Sequence, residues 1–263
     1  MNRENINIFR LENGIVRVSL NRPEIHNAFD DELIARLTAT IKELDQDSSV
    51  RVLILGAEGK SFSAGADLNW MKKMAGYSKA ENLQDSKYLA ELMSSLYQMK
   101  CPTIASVQGA AFGGGVGLVA CCDIAIASTN ASFCLSEVKL GLIPAVISPY
   151  VIGAIGERAA KRFFVTAERF DAKRAAEMGL ISEWVNPEDL ETKVMSLAQL
   201  IAKNGPEAVL EAKRLIIDVA GRKFDAGLRD MTAERIATIR ASKQGKEGVN
   251  AFLEKRPASW EKN

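Results

Sequence analysis

The chain has 263 residues, of which 47% are hydrophobic and 25% charged, and a chain of this size buries roughly three-quarters of its unfolded surface. Its 34 basic and 33 acidic side chains leave a net charge of +1, which excludes the overall basic surface of a dedicated nucleic-acid binder. Residues 1–5 carry no apolar signal core, and no apolar run approaches the about 20 residues that span a bilayer. We therefore expect one soluble, cytoplasmic unit with no membrane contact and no nucleic-acid partner.

Apolar periodicity predicts the secondary structure of the first half of the chain. In chain order, the expected elements are strands over 5–10 and 14–20, a helix over 30–47, a strand over 51–56, a helix over 79–99, and strands over 103–107, 123–127 and 132–135. The first helix begins at Asp30, a residue type that caps helices. Strands that alternate with helices in this way indicate an α/β chain built from stacked strand-strand-helix units.

The period of the pattern changes towards the C-terminus. Residues 187–254 have the spacing and charge of four helices, with almost no strand signal. This change predicts a boundary between an α/β core over 1–195 and a helical region over 196–263. We expect the helical region to bury its apolar faces against the core or against a neighbouring subunit, including Val209, Leu210, Leu215 and Ile216.

The cysteines and the single histidine argue against zinc chemistry. Cys101, Cys121, Cys122 and Cys134 lie in apolar surroundings without the paired spacing of metal ligands, and His26 is the only histidine. Free thiols that pack in the core are therefore the favoured interpretation. A reactive cysteine is the less favoured alternative.

Two glycine-rich turns follow strand-like runs and lead into helices. They are Phe62-Ser63-Ala64-Gly65-Ala66-Asp67 and Gly109-Ala110-Ala111-Phe112-Gly113-Gly114-Gly115. Turns of small residues at helix starts leave main-chain N–H groups bare, and two such turns could bind one carbonyl oxygen and stabilise negative charge on it. The alternative is that both are ordinary tight turns.

Glu137 is the main candidate for proton transfer. It follows the strand-like stretch 131–135 in an apolar neighbourhood, where burial should raise the pKa of a carboxyl and suit it to acid–base work near neutral pH. From the residues alone, a carboxylate at a helix start with Ser136 as its cap is the better-supported interpretation.

These motifs together resemble the enoyl-CoA hydratase/isomerase (crotonase) superfamily. The resemblance covers most of the first two hundred residues and rests on Leu20-Asn21-Arg22-Pro23 with Asn27-Ala28, both glycine turns, Cys122-Asp123-Ile124-Ala125, Ser136-Glu137-Val138-Lys139-Leu140-Gly141-Leu142-Ile143-Pro144, Thr166-Ala167-Glu168 and Ala175-Ala176-Glu177-Met178-Gly179-Leu180. Within the superfamily, the segments 65–74 and 113–123 look most like the methylglutaconyl-CoA hydratases of bacteria.

The resemblance implies a fold, a substrate class and site residues. It implies a crotonase-like spiral of strand-strand-helix units, an acyl-CoA substrate without metal or redox cofactor, and trimers that pair into hexamers. The main-chain N–H groups of Ala66 and Gly114 would bind the thioester oxygen, and Glu137 matches the second catalytic glutamate of the family. Residues expected beside the substrate are Ala64, Asp67, Leu68, Gly113 and Gly117, although for Asp67 the N-cap of the following helix is the favoured role.

The sequence departs from the family pattern at Gly117, where two-glutamate hydratases carry their first catalytic glutamate. Three interpretations remain: a hydratase that works with Glu137 and a polar group from elsewhere, an isomerase that needs one carboxylate, and a catalytically silent relative. For the hydratase, we expect the space beside Gly117 to hold part of a branched or carboxylated acyl chain, or a water molecule. Ser148 and Tyr150 are the polar candidates nearby.

The resemblance makes hydration of trans-3-methylglutaconyl-CoA, a step of leucine breakdown, the first choice of reaction. The alternatives are a generic enoyl-CoA hydratase, a 3,2-enoyl-CoA isomerase that uses Glu137, and an RNA-binding or scaffold protein with a vestigial site. Lys72 and Lys73 most simply form a solvated face, but an ammonium group there could meet a distal carboxylate of the substrate.

Overall fold

In the computed structural model, which describes residues 5–261, the strands form a six-stranded and a four-stranded sheet. In chain order the strands are β1 (Ile6–Arg10), β2 (Ile15–Leu20), β3 (Val52–Ala57), β4 (Ser61–Ser63), β5 (Thr103–Val107), β6 (Ala110–Phe112), β7 (Ile124–Ser128), β8 (Ser132–Cys134), β9 (Phe170–Asp171) and β10 (Glu183–Val185). The large sheet has the order β1-β2-β3-β5-β7-β10, and the small sheet has the order β4-β6-β8-β9.

Successive units of the chain contribute one strand to each sheet. The strands β3, β5 and β7 lie side by side and parallel in the large sheet, and β4, β6 and β8 do the same in the small sheet. The chain therefore winds as a spiral of strand-strand-helix units, as predicted. The small strands β4 and β6 overlap the two glycine turns, and because these strands are paired in the small sheet, the two turns lie side by side.

The helices follow local sequence signals closely. They are α1 (Asp31–Gln46), α2 (Leu68–Met74), α3 (Lys79–Tyr97), α4 (Gly114–Cys121), α5 (Ser148–Thr166), α6 (Ala172–Met178), α7 (Leu190–Ala202), α8 (Pro206–Val219), α9 (Ala226–Ala241) and α10 (Lys243–Leu253). The Asp30 carboxylate accepts the Leu33 N–H at 2.8 Å and caps α1, as predicted. Over residues 5–261, no helix is both long and apolar enough to cross a membrane.

The central strand β3 of the six-stranded sheet is buried on both faces. Leu53 and Leu55 of β3 belong to the main hydrophobic core, whereas Val52 and Ile54 belong to a second cluster that includes Leu190, Val194 and Ala198 of α7. This division follows the period of two along a strand. The predicted boundary between residues 195 and 196 falls inside α7, and α7 contributes buried residues from both sides of that point.

Among the last three helices, α8 contacts the core through Lys213. The Lys213 ammonium is buried and lies 2.6 Å from Asp123 Oδ2 and 3.0 Å from the Cys101 carbonyl oxygen. Farther on, α9 and α10 bury little of their surface, and Phe252 is 82% exposed. The four predicted C-terminal helices are present, and of the residues expected to be buried there, Val209, Leu210 and Leu215 are half-buried and Ile216 is exposed.

The cysteines have the packing role that their surroundings predicted. Cys101, Cys121 and Cys134 are buried, Cys122 is half-buried, and all four thiols are free. Burial raises the pKa of Cys101 to about 12 and also raises the pKa of Cys134. Thiolates are therefore disfavoured at these positions, which agrees with an inert structural role.

Candidate active site

The first glycine turn presents the N–H of Ala66. The Phe29 N–H donates to the Gly65 carbonyl oxygen and the Asp67 N–H donates to the Phe29 carbonyl oxygen, both at 2.7 Å. Ala66 pairs with Phe29 in a parallel bridge, so its own N–H points to the other side of the chain. No acceptor for this N–H lies within the described part of the chain. The turn therefore offers one bare donor.

The second turn presents the N–H of Gly114 at the start of α4. Gly113, which precedes it, has φ 51° and ψ −118°, a conformation that only glycine adopts readily. The Gly113 N–H donates to the Cys134 carbonyl oxygen at 2.9 Å, which fixes the turn against β8. The Gly114 N–H has no acceptor within its helix, and the positive end of the helix dipole lies at the same place.

The two turns lie against each other. A Cβ atom placed on Gly65 would lie 3.6 Å from the Phe112 carbonyl oxygen, and one placed on Gly114 would lie 3.1 Å from the Phe29 ring. Phe29 in turn is bonded to the first turn. The structure therefore brings the Ala66 and Gly114 segments together, which is the arrangement that two convergent donors require.

The Glu137 carboxyl group stands over the second turn. Glu137 begins a 3-10 helical turn after β8, and its Oε1 lies 3.2 Å from where a Cβ on Gly113 would be. Its Oε2 is buried and makes no hydrogen bond within residues 5–261. Burial raises the pKa of Glu137 above its usual value, as predicted. Ser136 makes no capping hydrogen bond, so the alternative of a capped helix start does not hold here.

A buried carboxyl oxygen without a partner is uncommon in folded proteins, because a desolvated polar atom costs free energy unless it is hydrogen-bonded. Such a group beside two bare donors marks a functional site more strongly than any of the three groups alone. A carbonyl oxygen held by the two N–H groups would carry its neighbouring carbon atoms towards Glu137. The arrangement can stabilise an enolate and move a proton at that enolate.

Gly117 lies one helical turn beyond Gly113, with its N–H donating to the Gly113 carbonyl oxygen at 3.2 Å. A Cβ placed on Gly117 would lie 2.3 Å from Ile147 Cγ2 and 3.1 Å from Met93 Cε. Ile147 is 2% exposed and Met93 is fully buried. The expectation that a substrate group or a water molecule occupies this space is therefore wrong, because the Ile147 side chain fills it.

The other predicted site residues have separate places around the first turn. The Ala64 N–H donates to the His26 carbonyl oxygen at 3.0 Å. Asp67 caps α2, because its Oδ1 accepts the N–H groups of Asn69 and Trp70 at 2.8 and 3.1 Å. Leu68 follows it and is 73% exposed, so its side chain faces outward at the rim of the turn.

The two polar side chains expected to bind water have partners of their own. Ser148 Oγ donates to the Ala145 carbonyl oxygen at 2.8 Å, and the Tyr150 ring packs 5.2 Å from the Tyr97 ring. Because Glu137 Oε2 has no hydrogen-bond partner in the described chain, neither side chain supplies one. The residue that sequence reasoning missed in this segment is Ile147, an apolar residue whose contact with Gly117 carries no local signal.

The comparisons with known proteins agree with this geometry. The family model for enoyl-CoA hydratase/isomerase matches residues 10–263. A solved structure from Legionella pneumophila is 50% identical, with a TM-score of 0.94 over 97% of this chain and 98% of that one. An enoyl-CoA hydratase from Shewanella pealeana is 46% identical, with a TM-score of 0.94 over 98% of this chain and 96% of that one.

Comparison by sequence points to the same family. The 2,3-dehydroadipyl-CoA hydratase of Escherichia coli is 32% identical over 244 residues, which is 92% of this chain and 93% of the relative. The match to the family model extends through both glycine turns and Glu137 to the C-terminal helices. The chain therefore belongs to the enoyl-CoA hydratase/isomerase (crotonase) superfamily.

Proposed function

We propose that the chain adds water to the double bond of an α,β-unsaturated acyl-CoA. The N–H groups of Ala66 and Gly114 bind the thioester oxygen, which makes the β-carbon electrophilic and stabilises the enolate that forms. Glu137 takes a proton from the attacking water and returns it to the α-carbon, so one carboxyl group serves both halves of the addition. Coenzyme A enters as part of the substrate, and no further cofactor takes part in this step.

The observation that carries the proposal is the buried Glu137 Oε2, which has no partner in the described chain and stands beside the second donor turn. Around it, we propose that the residues flanking the turns contact the substrate, namely Ala64, Asp67, Leu68 and Gly113. Gly117 acts only through the Ile147 side chain that covers it.

For the acyl group, we propose trans-3-methylglutaconyl-CoA. The support is the resemblance of segments 65–74 and 113–123 to methylglutaconyl-CoA hydratases, together with the name of the E. coli relative, whose 2,3-dehydroadipyl-CoA is also an enoyl-CoA. A distal carboxylate needs a cation. Lys73 is bonded to Asp31 at 2.7 Å, whereas Lys72 is exposed and forms no ion pair within residues 5–261, so Lys72 is the proposed partner.

A 3,2-enoyl-CoA isomerase is the second candidate, and Ile147 is the observation that favours it. The Ile147 side chain occupies the space that the Cβ atom of a glutamate at position 117 would need. Moving a double bond requires one group that takes a proton from one carbon and returns it to another, and Glu137 can do this alone.

A panel of CoA thioesters separates these candidates. Purified protein is offered crotonyl-CoA, 3-methylglutaconyl-CoA and a 3-enoyl-CoA, and the absorbance of the conjugated thioester is followed. Loss of absorbance with the first two identifies a hydratase, and gain with the third identifies an isomerase. Glu137→Gln is the control and should lower either rate at least about a hundredfold. No turnover, together with tight salt-dependent RNA binding, would favour the RNA-binding alternative.

The role of Lys72 needs a matched pair of variants. Lys72→Gln should lower kcat/KM for the carboxylated substrate and leave crotonyl-CoA unchanged, because only the former carries a distal charge. Lys73→Gln removes an equivalent charge from the same helix but one already paired with Asp31. Equal losses in both variants, or an equal loss on crotonyl-CoA, would remove Lys72 from the proposal.

We further propose that the chain assembles as a homotrimer or as a hexamer made of two trimers. Large apolar side chains stand in solvent on the C-terminal region of the isolated chain, with Phe224 92% and Phe252 82% exposed. Exposed apolar patches of this kind are typical of protein interfaces. Light scattering at micromolar concentration should give three times the chain mass or a multiple of it, and a monomeric mass would contradict the proposal.

A further inference from the structure

Three residues from three helical segments pack together one helical turn from the Glu137 carboxyl group. Glu137 Oε1 lies close to Gly113, and Gly117 is the next residue on that side of α4. At Gly117, Ile147 comes from the start of α5 and Met93 comes from α3, and both side chains are buried. We call Met93, Gly117 and Ile147 the plug.

Beyond the plug, the same three helices approach one another again. Cys121 lies one turn after Gly117 on α4, and its Sγ is 3.8 Å from Met93 Sδ. Tyr97 lies one turn after Met93 on α3, and its ring packs 5.2 Å from the ring of Tyr150 on α5. Cys121 therefore links this second level directly to the plug.

A cavity of about 780 Å³ opens at this second level, between α4, α5 and α8. Its size is within the range of about 300–1,000 Å³ that holds small-molecule ligands. Its lining is mostly apolar and includes Tyr97, Cys121, Tyr150, Ala154, Ile216 and Ile217. The charged residues of its lining, Asp123 and Lys213, are already paired with each other at 2.6 Å. The cavity therefore suits an uncharged hydrocarbon chain.

We propose that Ile147 is a specificity-determining residue that ends the acyl compartment and separates it from this cavity, an inference that rests on the proposed function. Reacting carbons held beside Glu137 are about 5.4 Å, one helical turn, from the plug. A short acyl chain ends before Ile147, whereas a longer chain that follows α4 meets its side chain. Removing that side chain joins the two spaces, and longer acyl chains then gain apolar contacts.

The test compares binding and turnover along a chain-length series. Calorimetry measures the affinities of butyryl-, hexanoyl- and octanoyl-CoA, which are saturated and do not react, and kcat/KM is measured for the matching 2-enoyl-CoAs. Each methylene buried in an apolar site improves affinity roughly fourfold. Ile147→Ala should therefore raise the octanoyl-to-butyryl affinity ratio by about tenfold or more. The kcat/KM ratio should move in the same direction.

Three further variants keep the test specific. Ile155→Ala shortens a buried isoleucine of α5, which is 7% exposed and is not among the atoms nearest to Gly117, and should leave the ratio unchanged. Ile147→Val should shift the octanoyl-to-butyryl ratio in the same direction as Ile147→Ala but by less. It replaces Ile147→Ala in the test if that variant does not fold. Gly153 lines the cavity, and a Cβ there would meet nothing within 4 Å. Adding Gly153→Leu to Ile147→Ala should therefore refill the cavity and restore the preference for butyryl-CoA.

The outcomes separate this inference from the proposed function. Folded Ile147 variants with the wild-type chain-length ratio would overturn the inference even if the wild type hydrates short enoyl-CoAs. A wild type that hydrates no enoyl-CoA would refute the proposed function, yet a gain in octanoyl-CoA affinity in Ile147→Ala would still support the role of Ile147. A gain of equal size in Ile155→Ala would also overturn the inference, because the effect would then be general loosening.

Discussion

Replacing Gly117 by glutamate would give this chain the second carboxylate of a two-glutamate hydratase, but the structure predicts that the change destabilises the fold. A Cβ at this position would lie 2.3 Å from Ile147 Cγ2, and carbon atoms in normal contact are about 3.5–4.0 Å apart. Ile147 would have to move by more than an ångström in a core where it is 2% exposed. Overpacking of this kind costs about 1–3 kcal/mol.

The carboxylate adds a second penalty. A charged group beside Met93 and Ile147 loses its hydration and finds apolar neighbours. An unsatisfied polar group of this kind costs at least about 1–3 kcal/mol more. We therefore expect Gly117→Ala to lose about 2 kcal/mol and Gly117→Glu to lose about 4 kcal/mol of unfolding free energy.

Denaturant unfolding at pH 7 measures both values, and Gly153→Ala is the matched control. Gly153 also lies in a helix, but a Cβ there meets nothing within 4 Å, so alanine should stabilise by about 0.5–1 kcal/mol. The double variant Gly117→Ala with Ile147→Ala should lose clearly less than the sum of its single variants, because each change relieves the other. A Gly117→Glu protein as stable as the wild type, or strict additivity in the double variant, would refute the reasoning.

Three other predictions follow from the buried charges. Burial raises the pKa of Glu137 above its ordinary 4.5, so the carboxylate needed as a base forms only above that value, and Glu137→Gln should remove the acidic limb of the kcat/KM profile. The folded state binds this proton more tightly than the unfolded state, so Glu137 lowers stability as pH rises from 4.5 through the raised pKa. Glu137→Met should therefore stabilise the protein more at pH 8 than at pH 4 in denaturant melts. Lys213→Met removes the buried ammonium from Asp123, which is partly exposed and keeps its hydrogen bonds from Thr103, and should cost about 1–2 kcal/mol. The exposed Lys161→Met should cost under about 0.5 kcal/mol.

The elements that the sequence predicted correctly are those with strong local signals. The helices α1 and α3 have caps at Asp30 and Ser78 and repeat their apolar residues at helical spacing. The short strands β4 and β6 were hidden inside the glycine turns, because three residues are too few to show a period of two. The helix α5 is missing from the predicted elements, since glycines at 153 and 156 interrupt its apolar pattern.

The site likewise has features that local sequence predicts and features that it does not. Glu137 and the two donor turns could be found because each is a short motif whose chemistry depends on residues next to one another. The filling of the space at Gly117 could not be found, because Ile147 is thirty positions away and an isoleucine carries no sign of which neighbour it will cover. The polar side chains of the same segment are conspicuous in the sequence, but Ser148 is hydrogen-bonded to its own turn.

The main chain and the side chains have different tasks at this site. The donors at Ala66 and Gly114 belong to the backbone, and their directions are fixed by hydrogen bonds of Phe29 and Gly113. Side-chain changes near Glu137 therefore leave the oxyanion site in place while they alter what can approach the enolate: a water molecule, a second carboxylate or a longer acyl chain. We propose that the contact between Gly117 and Ile147 decides among these three, because it lies one helical turn from Gly113, which the Glu137 carboxyl group approaches. Under the proposed function, reaction type and acyl specificity would therefore depend on this one pair of residues, whereas polarisation of the thioester would depend on the main chain.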